Sequence, residues 1–329
     1  MTILGCIDFR SAGLPNHNSD DASDVLLFAD GRISVSGGNG KLTDAAPKLQ
    51  VLDICVFDKH GGVKRSAITV GFAGTSALAA MSAIAFASNV LRHLSGADLP
   101  TVPQIGSFVA HAFRAALEEY SVNQMRAVDA ALIVAGFDNS VQKTVVQAMY
   151  FKPRLGTYQI EFIPNQSYLT IVSGPAEWDL KKRLNIQLPK QTQESWSALL
   201  WNATKDIEEA LRAIAERQPF GGQLQLCTVD IRGPRLLPTQ FWDLSHRRPD
   251  LPSDWNEGDF RTTLLGYEIS DLRVGQCDFL PHGPIPLPDV TATPWAKGGI
   301  PCEQRPLDDG DLFSRPRTGV LLLRPIKKD

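Results

Sequence analysis

Met1-Thr2-Ile3-Leu4-Gly5-Cys6-Ile7 opens the chain with a small second residue followed by an apolar run. Because Thr2 is small, the initiator Met1 is removable, and its loss makes Thr2 the N-terminus. A free N-terminal threonine carries its own base. The hydroxyl is the nucleophile, and the α-amine, with an ordinary pKa near ~8, accepts the proton. Any chain can begin Met-Thr, so the weight of this reading rests on three later segments and a serine. Leu27-Phe28-Ala29-Asp30-Gly31-Arg32 ends a hydrophobic strand with an Asp-x-Arg. Ala46-Pro47-Lys48-Leu49 opens the next strand with one lysine. Val70-Gly71-Phe72-Ala73-Gly74-Thr75 runs a strand into a small-residue helix, and Ser173-Gly174 comes later.

In this order the segments resemble proteasome β-type subunits, including the bacterial peptidase subunits of that type, which are N-terminal-nucleophile hydrolases. The resemblance spans residues 2–231 and implies a threonine peptidase with an α+β fold, a four-layer αββα sandwich. Residue by residue, Thr2 matches the nucleophile and Lys48 the lysine beside its hydroxyl. A nearby ammonium disfavours a second positive charge and so lowers the pKa of the amine. Asp30 matches the buried carboxylate that pairs with the lysine, and Arg32 a structural arginine next to it. The backbone N–H of Gly74 matches the oxyanion donor, where glycine permits close approach. Ser173 matches a serine that hydrogen-bonds the amine. The resemblance implies no cofactor and no metal. As partners it implies a peptide or unfolded protein substrate and further copies of the chain in a homo-oligomeric ring, and it leaves open an unfolding ATPase that feeds the chamber.

The chain departs from the pattern in two places. Thr2 and Asp30 are 28 positions apart, about a dozen more than the resemblance implies; a surface loop absorbs such an insertion cheaply. Aligned on Gly221-Gly222, Arg217 stands where the family often has an aspartate and Phe220 where it has a serine. Two alternatives therefore stand beside the peptidase: a catalytically silent subunit of this type acting in assembly or partner binding, and an N-terminal-nucleophile amidohydrolase acting on a small molecule.

With 329 residues, 43% of them hydrophobic, the chain is long enough to bury a sizeable core. A net charge of −3 without a long Lys or Arg run argues against nucleic acid as the main partner. No apolar run approaches the ~18–20 residues of a membrane span, and no basic-then-apolar leader opens the chain, which points to the cytoplasm. The five cysteines are odd in number and form no C-x-x-C pair, which suits free thiols in a reducing compartment. Cys6, Cys55 and Cys227 sit in apolar strand patterns and read as core.

Taken in order, residues 3–10 read as a strand, 11–24 as a polar loop, and 25–29 as a buried strand. Gly37-Gly38-Asn39-Gly40-Lys41 is a glycine-rich turn and no phosphate loop, since Leu42 follows the lysine and Val35 stands at the first glycine position. Strands are predicted over 48–57 and 67–73, a helix buried on more than one side over 75–94, and an amphipathic helix over 103–122. His93 and His111 cap or pack these helices. Further strands are predicted over 130–136, 145–151, 157–163 and 223–231, and helices over 177–184 and 195–216. Helices in pairs between runs of antiparallel strands suit a layered α+β fold. From Pro234 to Asp329, 96 residues hold 13 of the 22 prolines. The domain boundary is drawn there: 2–231 form the hydrolase-like domain, and 232–329 a Pro/Trp-rich extension packing on the core or on a neighbouring subunit.

Overall fold

The computed structural model describes residues 3–10, 24–34, 41–43, 46–74, 77–124, 129–155, 157–163, 169–171, 181–184, 202–207, 209–210, 224–237, 239–240 and four short strands between 262 and 278. The strands of the main body are β1 (Leu4–Asp8), β2 (Val25–Asp30), β3 (Ile33–Ser34), β4 (Lys41–Thr43), β5 (Leu49–Phe57), β6 (Val63–Gly74), β7 (Leu94–Ser95), β8 (Ala130–Asp138), β9 (Lys143–Arg154), β10 (Thr157–Ile163), β11 (Leu169–Ile171), β12 (Leu224–Asp230) and β13 (Gly233–Leu237). Two helices, α1 (Ala77–Leu91) and α2 (Val102–Gln124), stand between β6 and β8 on either side of β7. Beyond them, β14 (Thr239–Gln240), β15 (Thr262–Leu264) and β16 (Tyr267–Glu268) form a small antiparallel sheet, and β17 (Arg273–Val274) pairs with β18 (Cys277–Asp278). Most of the Pro/Trp-rich extension lies outside the described residues.

Two sheets carry the core. One has the order β11-β1-β2-β12-β13 and the other β10-β9-β8-β6-β5-β7. All their pairings are antiparallel except β5 with β7. The alternation of side chains along a strand sorts the apolar residues into two layers. Ala131, Ile133 and Ala135 of β8 face Leu4, Leu27, Ala29, Cys227 and Val229 of the other sheet. The intervening Ala130, Leu132 and Val134 face the helices. Strand β8 is thus buried on both faces, which is why its sequence is apolar from Ala130 to Phe137.

Helix α1 buries Ala79, Ala80, Ala83, Ile84, Ala87 and Leu91, the i, i+3, i+4 spacing of one helix stripe. Its other side was expected to be buried too, but Leu78, Met81 and Phe86 are exposed. Helix α2 starts with a capping box: the Gln104 N–H donates to Thr101 Oγ1, and the Thr101 N–H donates back to Gln104 Oε1. The Val102 N–H donates to Asp138 Oδ2. Phe113 anchors the helix on Phe151 of β9, ring centroids 4.8 Å apart and edge-on.

The four-layer αββα sandwich is therefore corrected. The described residues form two stacked sheets with α1 and α2 on one outer face, a predominantly β architecture. Of the helix predicted over 195–216, residues 202–207 and 209–210 are helical, and the rest lies outside the described residues. The reason is that a 3.6-residue apolar period specifies a helix but does not say against which sheet face, or whether any, the helix forms a layer.

Gly71 sets the sheet separation near the N-terminus of β1, and Gly5 makes room within its own sheet for the ring of its paired residue Phe28. A Cβ at Gly71 would sit 2.5 Å from Leu4 Cδ1 and 2.8 Å from Leu49 Cδ2; one at Gly5 would enter the Phe28 ring. Gly71→Val is expected to lower stability by about 1–3 kcal/mol through overpacking, read as a lower urea midpoint with an unchanged slope. A midpoint equal to wild type would show that the sheets do not meet there.

Candidate functional site

β2 ends at Asp30, and the chain returns through Ala46-Pro47-Lys48 into β5. Both charged groups are buried, Asp30 at 0% exposure and Lys48 at 1%. Lys48 Nζ donates to Asp30 Oδ1 at 2.9 Å and also to the Arg32 carbonyl. The same Asp30 oxygen accepts the Ile3 N–H at 2.8 Å, and the Asp30 N–H donates back to the Ile3 carbonyl. Asp30 thus ties the residue after Thr2 to the lysine ammonium through one oxygen. Ile3 N and Lys48 Nζ are no further apart than those two distances laid end to end.

The backbone around Lys48 is held on every side. The Lys48 carbonyl accepts the Phe72 N–H of β6, and the Ala46 N–H donates to the Gly31 carbonyl. Pro47 has no N–H to place, and its carbonyl accepts Gln50 Nε2. What remains is met by Gln225 of β12, a side chain 1% exposed. Its Oε1 accepts the N–H of Lys48 at 2.9 Å and of Leu49 at 3.3 Å, and its Nε2 donates to the Ala46 carbonyl. Sequence reasoning missed Gln225. Its alternation with Leu224 and Leu226 reads as a solvent-facing position, but every residue of Leu224–Asp230 is buried in the structure, and a buried amide must have partners.

Gly74 ends β6 with φ +110°, a backbone conformation open to glycine and little else. A Cβ there would sit 2.6 Å from the Asp129 carbonyl oxygen. Gly74 lies two residues beyond Phe72, roughly 7 Å along the strand from the contact with Lys48. The site residues Asp30, Lys48 and the Arg32 backbone are therefore in mutual contact, with Gly74 on the neighbouring strand. Thr2, Ser173, Arg217 and Phe220 lie outside the described residues.

The cysteines take another role. Burial pushes the Cys227 thiol up to about 12, and burial, aided by the Asp8 charge, pushes Cys6 higher still. Both side chains lie in the layer between the sheets, and neither is a thiolate at neutral pH. His93 and His111 each donate Nδ1–H to the carbonyl one turn back, Asn89 and Ser107, at 2.7 Å. Among the described residues no cluster of His, Cys, Asp or Glu is placed to hold a metal ion, and no helix is long and apolar enough to cross a membrane.

Removing one member of the buried pair leaves the other as an isolated charge. Lys48→Met is expected to cost about 3–5 kcal/mol, and the double variant Asp30→Asn/Lys48→Met, which keeps an acceptor for the Ile3 N–H, to recover most of that loss. Urea denaturation of the two single variants and the double checks this; additive costs would mean that the two side chains do not interact.

No protein-family model matches the chain, and no curated protein matches it. Among solved structures, a mutant of Anbu from Hyphomicrobium sp. strain MC1 aligns with a TM-score of 0.43 at 14% identity, over 69% of this chain and 81% of its own. Anbu, an ancestral beta-subunit, from Yersinia bercovieri aligns with a TM-score of 0.43 at 11% identity, over 69% and 80%. Anbu from the Hyphomicrobium strain aligns with a TM-score of 0.41 at 12% identity, over 69% and 81%. These neighbours correct the resemblance drawn from the motifs: they are Anbu proteins, proteasome-like but distinct from the proteasome β-type subunits themselves. The motifs are short strand ends and turns, too brief to specify one family. At these scores the likeness is weak and carries no argument about activity.

Proposed function

We propose that the protein is a threonine-type peptidase that acts through Thr2 once Met1 is removed. The observation that carries this reading is the shared Asp30 oxygen. It receives the N–H of Ile3, the residue bonded to Thr2, and the ammonium of Lys48. A fixed cation one residue from the N-terminus is what a threonine nucleophile needs, because it favours the neutral amine and the developing alkoxide.

In this mechanism the α-amine of Thr2 takes the hydroxyl proton as Oγ1 attacks a peptide carbonyl. The oxyanion that forms is met by the Gly74 N–H. The C–N bond then breaks, the departing amine leaves with that proton, and an ester to Thr2 remains. Water, deprotonated by the same amine, hydrolyses the ester and regenerates the hydroxyl. Lys48 keeps its charge throughout, held by Asp30. Cys6 and Cys227 are no rivals as nucleophile, since burial keeps them protonated.

The test is intact mass followed by reaction with a peptide epoxyketone, whose two electrophilic carbons bond the hydroxyl and the amine of the same residue. The expected result is a mass lacking Met1 and one adduct mapped to Thr2. Thr2→Ala abolishes the adduct, and Lys48→Ala slows its formation by about 10²-fold or more. A retained methionine in the working protein, or an adduct mapped elsewhere, would sink the reading.

A further inference from the structure

We propose that Gln225 is the positioning residue for Lys48, clamping the lysine backbone so that its ammonium faces the N-terminus; this rests on the Thr2 reading above. The segment Ala46–Leu49 bridges the two sheets at the end where β1 begins. It cannot ladder as a regular strand, because Pro47 interrupts it and the ladder of β5 with β6 starts only at Leu49 opposite Gly71. Two N–H groups and one carbonyl in this buried stretch need partners from elsewhere. One side chain supplies all three, the amide of Gln225.

The residue type is demanded by this arrangement. An amide both accepts and donates, whereas a carboxylate only accepts. A glutamate there would turn a second oxygen toward the Ala46 carbonyl and place a buried negative charge beside the Asp30–Lys48 pair. A leucine or methionine would leave all three backbone groups without this partner. Gln225 belongs to β12, opposite Ala29 in register, while Leu224 stands opposite Asp30. The clamp therefore hangs from the same strand pair that carries Asp30. The strands that hold the carboxylate also hold the lysine backbone, so cation and carboxylate move together.

The test uses Gln225→Met in the full chain, with Gln225→Glu as a second variant should the first fail to fold. Ile54→Val, in the helix-facing layer, serves as the stability control. Two readings are taken: hydrogen exchange of the Lys48 and Leu49 amides, and the pH profile of Thr2 labelling by the peptide epoxyketone. The expected result is lost protection at Lys48 and Leu49, labelling slowed about 10- to 100-fold by misplacement of the ammonium, and a pH midpoint moved up toward the ordinary α-amine value. For Gln225→Glu the midpoint also moves up, because the added carboxylate favours the charged amine. Ile54→Val loses stability without moving the midpoint. A folded Gln225 variant with wild-type protection at Lys48 and Leu49, or with the wild-type rate and midpoint, overturns the inference. A wild type that takes no adduct on Thr2 sinks the peptidase reading instead, and the exchange data alone then decide whether Gln225 holds Lys48.

Discussion

The buried contact between Lys48 and Asp30 makes demands on the rest of the molecule. Bringing two charges out of water costs several kcal/mol per ion, and their attraction offsets that only with good geometry and with hydrogen bonds around them. Both conditions are met. The aspartate oxygen lies 2.9 Å from the ammonium and 2.8 Å from the Ile3 N–H, and the Arg32 carbonyl takes a further ammonium proton. An apolar pair of the same volume would serve stability as well or better. A charged pair kept at the start of the first strand is thus better explained by what it holds in place than by the energy it adds.

Holding it requires two sheets to meet closely at one end. Leu4 reaches toward β6 because Gly71 has no side chain. The apolar layer between the sheets, from Leu4 and Leu27 to Ile133 and Val229, keeps water from the pair. The second layer, under α1 and α2, stiffens the sheet from which the Lys48 segment hangs. At the other end of the same strands the polar groups are wetter. Asp8, Arg10 and Asp24 join through partly exposed ion pairs, which are worth far less.

Much of the candidate site was legible because its parts are local. Asp30 closes an apolar strand and Lys48 opens another, and each stands out as a lone charge beside apolar neighbours. Gln225 was not legible. In Gln223-Leu224-Gln225-Leu226 the alternation reads as one wet face and one dry face, yet Gln225 is as buried as the leucines. Its three partners are 176 to 179 residues away, and no local pattern reports a contact at that distance. The motif resemblance failed for a related reason: strand ends and glycine turns are short and local, and they do not specify one family.

What the sequence determined by itself was the longer elements. Apolar strand-forming runs became β5, β6, β8, β9 and β10, and the amphipathic run at 103–122 became α2, because these patterns reflect backbone geometry within one element. Which faces those elements share was decided only by the tertiary structure. Helices α1 and α2 cover one sheet, Leu78, Met81 and Phe86 stay exposed on a helix whose composition suggested burial on more than one side, and a glutamine on β12 fixes a lysine on the way into β5. Burial and hydrogen bonding between distant segments depend on how the layers stack, and a layer's neighbour is not written in its own period.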